Sequence, residues 1–329
     1  MTKEDLYLEL ADRIQLTGSK RIANLFKMIA NEEEAELMLQ MPGTIDQLSQ
    51  KVNKSPDEVS SMVRLLFHKG LVFDSQKPEG TLYRMCRNLT QFHDASILWE
   101  EAPKEFLDAW QEYVDNEWPD LAAAIEKSGV PPFMRVIAVD EPVQGGTQIL
   151  PFESTVNLIE NSRSLAVTKC TCRLTAHRCD RPLEACIQLD KAADYSIRRG
   201  TGRSITKEEG IQILREAEEA GLVHTTENKA GMGHVICNCC GCCCQMLPVL
   251  IQHGRRLVDP SRFRARVEED LCTSCEACLD RCFFEAIEMR DEVASIIEEK
   301  CMGCGLCGTT CPTEAITLVE VRPQDFIPA

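Results

Sequence analysis

The residues of this 329-residue chain best equipped to do chemistry are its 19 cysteines, and they are clustered. Eight fall in two runs of one spacing. The first is Cys272-x2-Cys275-x2-Cys278-x3-Cys282; after 18 intervening residues comes Cys301-x2-Cys304-x2-Cys307-x3-Cys311-Pro312. Ten more lie upstream in two groups: Cys170, Cys172, Cys179 and Cys186, then Cys237, Cys239, Cys240, Cys242, Cys243 and Cys244. Cys86 stands alone. Thiolates are soft metal ligands and redox-active groups. Zinc sites usually take two paired CxxC units, so tandem four-cysteine runs favour cubane clusters over a pair of zinc sites.

Composition agrees with that chemistry. A 44% apolar content supports packed cores, and the length suits two or three domains. Met1–Leu6 opens an acidic amphipathic segment with no apolar signal region, and no run of 18 apolar residues follows. The expectation is a cytoplasmic protein without a membrane span, whose crowded thiols serve metal or redox work. That excludes a secreted disulfide scaffold and disfavours an ordinary metal-free hydrolase. The net charge of −16 is uneven. Residues 101–168 carry 4 basic against 12 acidic side chains and residues 271–329 carry 4 against 11. Residues 169–270 reverse the balance with 16 against 14.

The C-terminal repeat resembles the bacterial two-cluster ferredoxin, with Cys311-Pro312-Thr313-Glu314-Ala315-Ile316 echoing Cys282-Phe283-Phe284-Glu285-Ala286-Ile287. The resemblance implies two [4Fe-4S] clusters, one held by Cys272, Cys275, Cys278 and Cys311, the other by Cys301, Cys304, Cys307 and Cys282. It also implies a βαββαβ fold, with Ile287, Ile296, Ile297, Ile316 and Leu318 shielding the clusters. Phe283 departs from the pattern, standing where the family usually has proline. Proline there constrains backbone rather than ligating metal, so the cluster is expected to survive.

The central block runs from Leu150-Pro151-Phe152-Glu153 through Cys170-Thr171-Cys172-Arg173 to the dense run Cys237–Cys244. With the ferredoxin tail it is similar to a broad group of anaerobic iron–sulfur proteins, over residues 131–315. That group is defined by its clusters rather than by one reaction. The resemblance and the count of ten cysteines imply at least one further iron–sulfur cluster; a zinc site and unligated thiols are the alternatives. Adjacent cysteines on a strand point to opposite faces, so the six of the second group cannot all serve one cluster. Arg198, Arg199 and Arg203 could hold an anion or an acidic partner face, and a solvated basic loop is the plainer reading. His177, His224 and His234 are candidate ligands or proton donors, though each alone is more often a surface or satisfied histidine. Gly200-x-Gly202 and Gly231-x-Gly233 lack the third glycine of a dinucleotide fingerprint.

These sites need elements to position them. Thr206-Lys207-Glu208-Glu209 opens a helix through Ile211 and Leu214, and strands are expected at 133–139 and at Leu165–Val167, the latter delivering its end to Cys170. A helical pattern runs over 103–127, and a short helix is expected over 152–160. Upstream, Thr44 with Gln47 and Ser55 with Glu58 cap two helices, and a hairpin follows through a turn at 78–80. Helix, helix, helix and two-stranded wing resemble a winged helix. Its recognition helix offers Asp57, Glu58, Ser60, Ser61, Arg64, His68 and Lys69, which is not the basic footprint that DNA phosphates require. A docking role is therefore preferred to DNA binding, and Cys86 reads as a small packed hydrophobe.

The expected fold class is α+β multidomain: a winged-helix-like domain over 1–100, a helical linker and cysteine-rich α/β domain over 101–265, and a two-cluster ferredoxin domain over 266–329. The leading function is single-electron transfer to or from a partner oxidoreductase in anaerobic metabolism, with an oligomer compatible. Two alternatives remain: an iron–sulfur reductase whose active site is the central block, and a redox-sensing winged-helix regulator.

Overall fold

The computed structural model describes residues 3–78, 80–145 and 147–329. Met1 and Thr2 of the opening segment, Glu79 of the expected turn and Gly146 of the paired-glycine loop lie outside the described residues. The chain forms two compact units. Met1–Trp118 with Arg198–Thr201 is one, and Pro119–Ile197 with Gly202–Ala329 is the other.

The first unit contains α1 (Lys3–Arg13), α2 (Lys20–Ile29), α3 (Glu32–Leu39), α4 (Ile45–Val52), α5 (Pro56–His68), β1 (Val72–Lys77), β2 (Gly80–Met85), α6 (Leu89–Ile97) and α7 (Lys104–Asn116). Local chemistry starts these helices. Asn31, Thr44 and Ser55 each accept a third-residue amide, and Glu34, Gln47 and Glu58 return the bond to the cap's own amide. β1 and β2 pair antiparallel from Val72 opposite Met85 to Lys77 opposite Gly80. The helical stretch expected over 103–127 comprises α7 and α8 (Trp118–Lys127), parted at Glu117. The Glu117 carboxylate is occupied by Ser19 and Arg21, each at 2.8 Å.

Phe26 stacks on Phe92 with ring centroids 3.9 Å apart, and Trp110 meets Phe92 edge-on at 4.9 Å. One ion pair sits inside this core. Lys69 Nζ lies 2.9 and 3.1 Å from the two Glu34 carboxylate oxygens and 5.7 Å from the Trp99 ring. Lys69, counted above among the cations of the recognition-like helix, is thus buried, which leaves Arg64 and His68 as the exposed cations of that segment. Arg198 and Arg199 are likewise engaged within this unit. Arg198 forms two 2.7 Å bonds with Asp74, and Arg199 donates to the carbonyls of His68 and Ala95.

The second unit continues with β3 (Met134–Val136), α9 (Thr155–Asn161), β4 (Leu165–Lys169), α10 (Thr171–Ala176), β5 (Glu184–Leu189), α11 (Lys191–Arg199), β6 (Gly202–Ser204), α12 (Lys207–Glu219), β7 (Val223–Glu227), β8 (Val235–Cys239), α13 (Leu247–His253) and β9 (Val258–Asp259). Then follow β10 (Phe263–Val267), α14 (Ala277–Arg281), β11 (Ile287–Arg290), β12 (Val293–Ile296), α15 (Leu306–Thr309) and β13 (Ile316–Glu320). Seven strands form one sheet in the order β6-β4-β5-β8-β7-β3-β9, antiparallel except for β3 beside β9. The strand expected over 133–139 stops at Val136, and beyond it the Val139 amide leaves the sheet to bond the Cys304 carbonyl at 2.9 Å. The helix expected over 152–160 is interrupted at Ser154, which is extended and caps α9 through the Asn157 amide.

The last six elements alternate β10-α14-β11-β12-α15-β13, with β10 paired to β13 and β11 to β12. One apolar core runs through this segment and the sheet beside it, joining Val136, Val223 and Leu247 to Phe263, Leu306, Ile316 and Leu318. Arg262, fully buried, fastens the two. It donates to Glu153 at 2.5 and 2.9 Å, pairs with Glu320 at 2.7 Å, and reaches the Gln148 carbonyl at 3.0 Å. Glu153 of the Leu-Pro-Phe-Glu run is therefore a structural brace.

All three tryptophans, Trp99, Trp110 and Trp118, belong to the first unit, so tryptophan fluorescence reports its unfolding alone. Glu34→Ala would leave the Lys69 ammonium buried without its counter-ion, at a cost of about 3–5 kcal/mol. The expected outcome is a lower urea midpoint by fluorescence with the metal content unchanged.

Candidate metal centres

Two cavities lie in the C-terminal segment. Cys272, Cys275, Cys278 and Cys311 line the first, with Val267, Met289 and Ile316. Cys282, Cys301, Cys304 and Cys307 line the second, with Ile287, Ile296 and Leu306. Each thus takes three cysteines from one run and the last cysteine of the other. Among the described residues, no three of these eight bring all their sulfurs within 4.8 Å of one another. Each set encloses a space instead of converging on a point, which suits a multi-iron group. The sequence repeat is also present in the backbone: Glu285 and Glu314, at equivalent positions, both have positive φ, at 50° and 53°.

Neighbouring segments hold these loops tightly. Gly303 has φ +65°, and a Cβ there would stand 2.1 Å from the Phe263 carbonyl oxygen, so only glycine fits. The segment after β3 straps the second loop, through Val139 to Cys304 and the Leu318 amide to the Pro142 carbonyl at 2.7 Å. Burial pushes the Cys304 thiol up to about 12 and raises Cys278, Cys282 and Cys307 as well. Such thiols ionise only against a bound cation. The first cavity is nearer the surface. Cys275 is exposed, Leu271 is 49% exposed, and Glu269, Asp270, Glu276, Asp291 and Glu292 are exposed around this part of the chain.

The ten central cysteines separate into a six and a four. Sheet register builds the six. Cys186 on β5 continues the pairing of Ile187 with Ile236 and so falls opposite Cys237 on β8. Cys237 and Cys239, two residues apart on that strand, share a face. Cys170 is the N-cap of α10 and Cys172 lies in its first turn, while Cys244 comes from the loop after β8. Their thiols close a ring of contacts in the order Cys170, Cys172, Cys244, Cys239, Cys237, Cys186.

The hydrogen bonds of this ring localise its negative charge. Bonds from Cys172 and Cys186 hold Cys170 well below the usual thiol range, and bonds from Cys237 and Cys244 do the same for Cys239. The donors Cys172, Cys186 and Cys237 are correspondingly pushed up. Cys170 and Cys239 stand across the ring from one another.

The four are Cys179, Cys240, Cys242 and Cys243, all of whose sulfurs lie within 4.8 Å of one another. Burial raises Cys179, but bonds from the Arg181 amide, Cys242, Cys243 and the Arg181 guanidinium more than offset it, leaving about 7. Burial and the nearby Cys240 sulfur push Cys242 up to about 11. Arg173 is 3% exposed and serves both sets. It donates to the Asn238 carbonyl at 3.0 Å and to Cys240 Sγ at 3.8 Å. Burial disfavours its charge, while Cys170, Cys186 and Cys240 favour it more, so its pKa is raised. Its Nε and Nη2 have no hydrogen-bond partner among the described residues.

Phe283 acquires a role here. Its Cβ and ring lie where a Cβ on Gly241 would meet them at 3.1 Å, and the Arg181 guanidinium lies 4.9 Å from its ring centroid. Nearby, Arg281 donates to the Glu218 and Glu219 carbonyls and Arg181 to that of Ala220, satisfying the C-terminal end of α12. Sequence reading did not single out Arg181 or Arg281; cations due near a helix end were the available signal. At the other end of α12, Thr206 accepts the Glu209 amide, while the Glu209 carboxylate goes to Arg203 at 2.5 Å.

The histidines stand away from the thiols. Both ring nitrogens of buried His224 are engaged, by Asn238 at 2.5 Å and Glu218 at 3.0 Å. His234 pairs with Glu227, and exposed His177 is the left-handed C-cap of α10. Gly200 and Gly202 flank the start of β6, and Gly231 and Gly233 lie in the loop between β7 and β8.

Residues 265–318 match the family of the 4Fe-4S dicluster domain. Part of the chain also has curated relatives. Hydrogenase-4 component A of Escherichia coli is 37% identical over 93 residues, covering 26% of this chain and 44% of that one. A ferredoxin of Pyrobaculum islandicum is 36% identical over 63 residues, 18% of this chain and 59% of that one. The archaeal-type glutamate synthase [NADPH] of Dehalococcoides mccartyi is 33% identical over 69 residues, 20% of this chain and 14% of that one. The chain therefore spans less than two thirds of each of these relatives. No solved structure matches it. No helix among the described residues is long and apolar enough to cross a membrane.

Cys86 contrasts with all these sites. It is 1% exposed, and burial pushes its thiol up to about 12, against a small opposing effect of Arg84. At pH 8 its thiolate fraction is on the order of 10⁻⁴, against roughly a quarter for an ordinary thiol. In anaerobically prepared protein, iodoacetamide should leave Cys86 unmodified until urea unfolds the first unit, as read by peptide mass.

Proposed function

We propose that this chain is an electron-transfer protein or subunit that passes single electrons to or from a partner oxidoreductase in anaerobic metabolism. Cys272, Cys275, Cys278 and Cys311 would hold one [4Fe-4S] cluster, Cys301, Cys304, Cys307 and Cys282 a second, and the six-thiol ring at least one more. Bound clusters supply reversible one-electron carriage. The observation that carries this reading is continuity. The eight ferredoxin-type cysteines other than the exposed Cys275, together with Cys239 and Cys244 of the ring, belong to or pack against one apolar core. Ile287, Ile296, Ile316 and Met289 exclude water from the two cavities. The proposed division is residues 1–100 as a winged-helix-like docking domain, 101–265 as linker and central domain, and 266–329 as the ferredoxin domain. With Lys69 spent on Glu34, the exposed side of α5 carries Arg64, His68 and Leu65 beside Asp57 and Glu58, which suits a protein partner better than DNA.

The exposed corner at Cys275 is the natural exchange point, and its acidic surroundings suit a basic partner. A second reading has a specific observation behind it. The unpartnered Nε and Nη2 of buried Arg173, between the ring and the four-thiol set, would fit an anionic substrate of a reductase.

Iron and sulfide analysis of anaerobically purified protein should give more than the eight irons of two cubanes, and eight alone would remove the further cluster. EPR after reduction should show two cubane signals, one of them lost in Cys275→Ser. Reduction by a cationic viologen radical should slow several-fold as salt rises from about 0.05 to 0.5 M, because the Debye length falls from roughly 14 to 4 Å. A salt-independent rate would exclude the acidic corner as the exchange face. Turnover of a small oxyanion by the isolated protein, abolished by Arg173→Gln, would favour the second reading.

A further inference from the structure

We infer that Cys179, Cys240, Cys242 and Cys243 form a closed tetrahedral site for a single thiophilic metal ion, distinct from the six-thiol ring and from the two ferredoxin-type cavities. The sulfur spacings argue it. Cys179 lies 3.9 Å from Cys240 and 3.7 Å from Cys243, and Cys242 lies 3.8 Å from Cys243. Four thiolates bound about 2.3 Å from one ion at tetrahedral angles stand about 3.8 Å apart. A cubane spreads its four thiolates over four irons and holds them wider. The same chain supplies the comparison, since no three of the eight ferredoxin-type cysteines bring all their sulfurs within 4.8 Å of one another, while these four do.

The surroundings fit one ion of charge +2. Four thiolates would leave the site at −2, and two guanidinium groups face it: Arg173 at 3.8 Å from Cys240 Sγ and Arg181 at 3.9 Å from Cys242 Sγ. The Cys243 amide donates to Cys240 Sγ at 3.4 Å, closing the turn Cys240-Gly241-Cys242-Cys243 around one point. The four also have an apolar shell of their own, formed by Ala185, Ala217 and Leu222. With all four positions taken by protein, no site is left open for substrate, which marks a structural centre.

Its work is mechanical. The ion ties the loop after α10 to the turn after β8, 61 residues on. Clips across long loops remove much chain entropy from the unfolded state. Cys239 and Cys244 flank that turn, so the clip also fixes two members of the ring. The inference does not depend on the electron-transfer reading.

Full-length protein would be produced with zinc and iron both supplied and purified anaerobically. Metals would be counted by mass spectrometry and acid-labile sulfide by assay. The expected result is one ion per chain without matching sulfide: one zinc, or one iron in excess of sulfide with a mononuclear high-spin ferric signal on oxidation. Zinc-edge absorption, if the ion is zinc, should show four sulfurs at about 2.3 Å and no short metal–metal distance. Cys242→Ser should lose that ion while the reduced cubane signals persist. Equal iron and sulfide with no zinc in the wild type would overturn the proposal, whatever the variant's folding. So would a variant that loses iron and sulfide together in a ratio near one. Loss of all cluster signals with the one zinc retained would instead count against the electron-transfer reading alone.

Discussion

The chemistry proposed for the second unit depends on keeping many sulfur atoms charged inside an apolar core. Burial alone drives thiols neutral, and in this unit it is the main cause that raises Cys242, Cys243, Cys278, Cys282, Cys304 and Cys307. A buried thiolate persists only where something positive or a hydrogen-bond donor meets it. The ring uses its own thiols as donors, which lowers Cys170 and Cys239. The four-thiol set uses Arg181 and shares Arg173 with the ring. The ferredoxin-type sets draw on backbone amides, as at Cys311, where burial is outweighed by the amides of Thr313, Ala315 and Ile316 and the Thr313 hydroxyl. Three solutions to one electrostatic problem lie within a single fold.

The sheet makes the solutions compatible. Its period of two aims Cys237 and Cys239 to one side and Asn238 to the other, where the Asn238 side chain bonds His224 and the Ala185 carbonyl. The chain leaves the strand at Cys240, so the next cysteines form a turn instead of continuing the alternation. A run of six cysteines in eight residues is thereby divided between two neighbourhoods: Cys237 and Cys239 on β8 join the ring, Cys240, Cys242 and Cys243 in the turn join the four-thiol set, and Cys244 returns to the ring.

What could be read from sequence was local, and what could not was long-range. Thr44 with Gln47 and Ser55 with Glu58 announce their helices because both partners lie within one turn. The ferredoxin-type grouping was available only through resemblance, since the crossing of Cys311 and Cys282 between sites is a tertiary matter. The opposite-face rule already required that the second central group divide, but the partition itself needed the register of β5 against β8 and the reach of Cys179 across 61 residues. Lys69 looked like a surface cation because its partner Glu34 lies 35 positions away. The continuity of the apolar core from the sheet into the C-terminal segment is likewise a matter of long-range contacts.

Phe283 gives the C-terminal segment a particular kind of dependence. In a self-sufficient cassette this position could be filled by any residue that completes the turn. Here its ring lies beneath Arg181 and against Gly241, and two residues earlier Arg281 spends its guanidinium on the end of α12. Cut free, the segment would present an uncovered aromatic ring and an arginine without its carbonyl partners. The ferredoxin-like portion is thus grafted into its host: it could not be exchanged between proteins without carrying the matching glycine and helix end along with it.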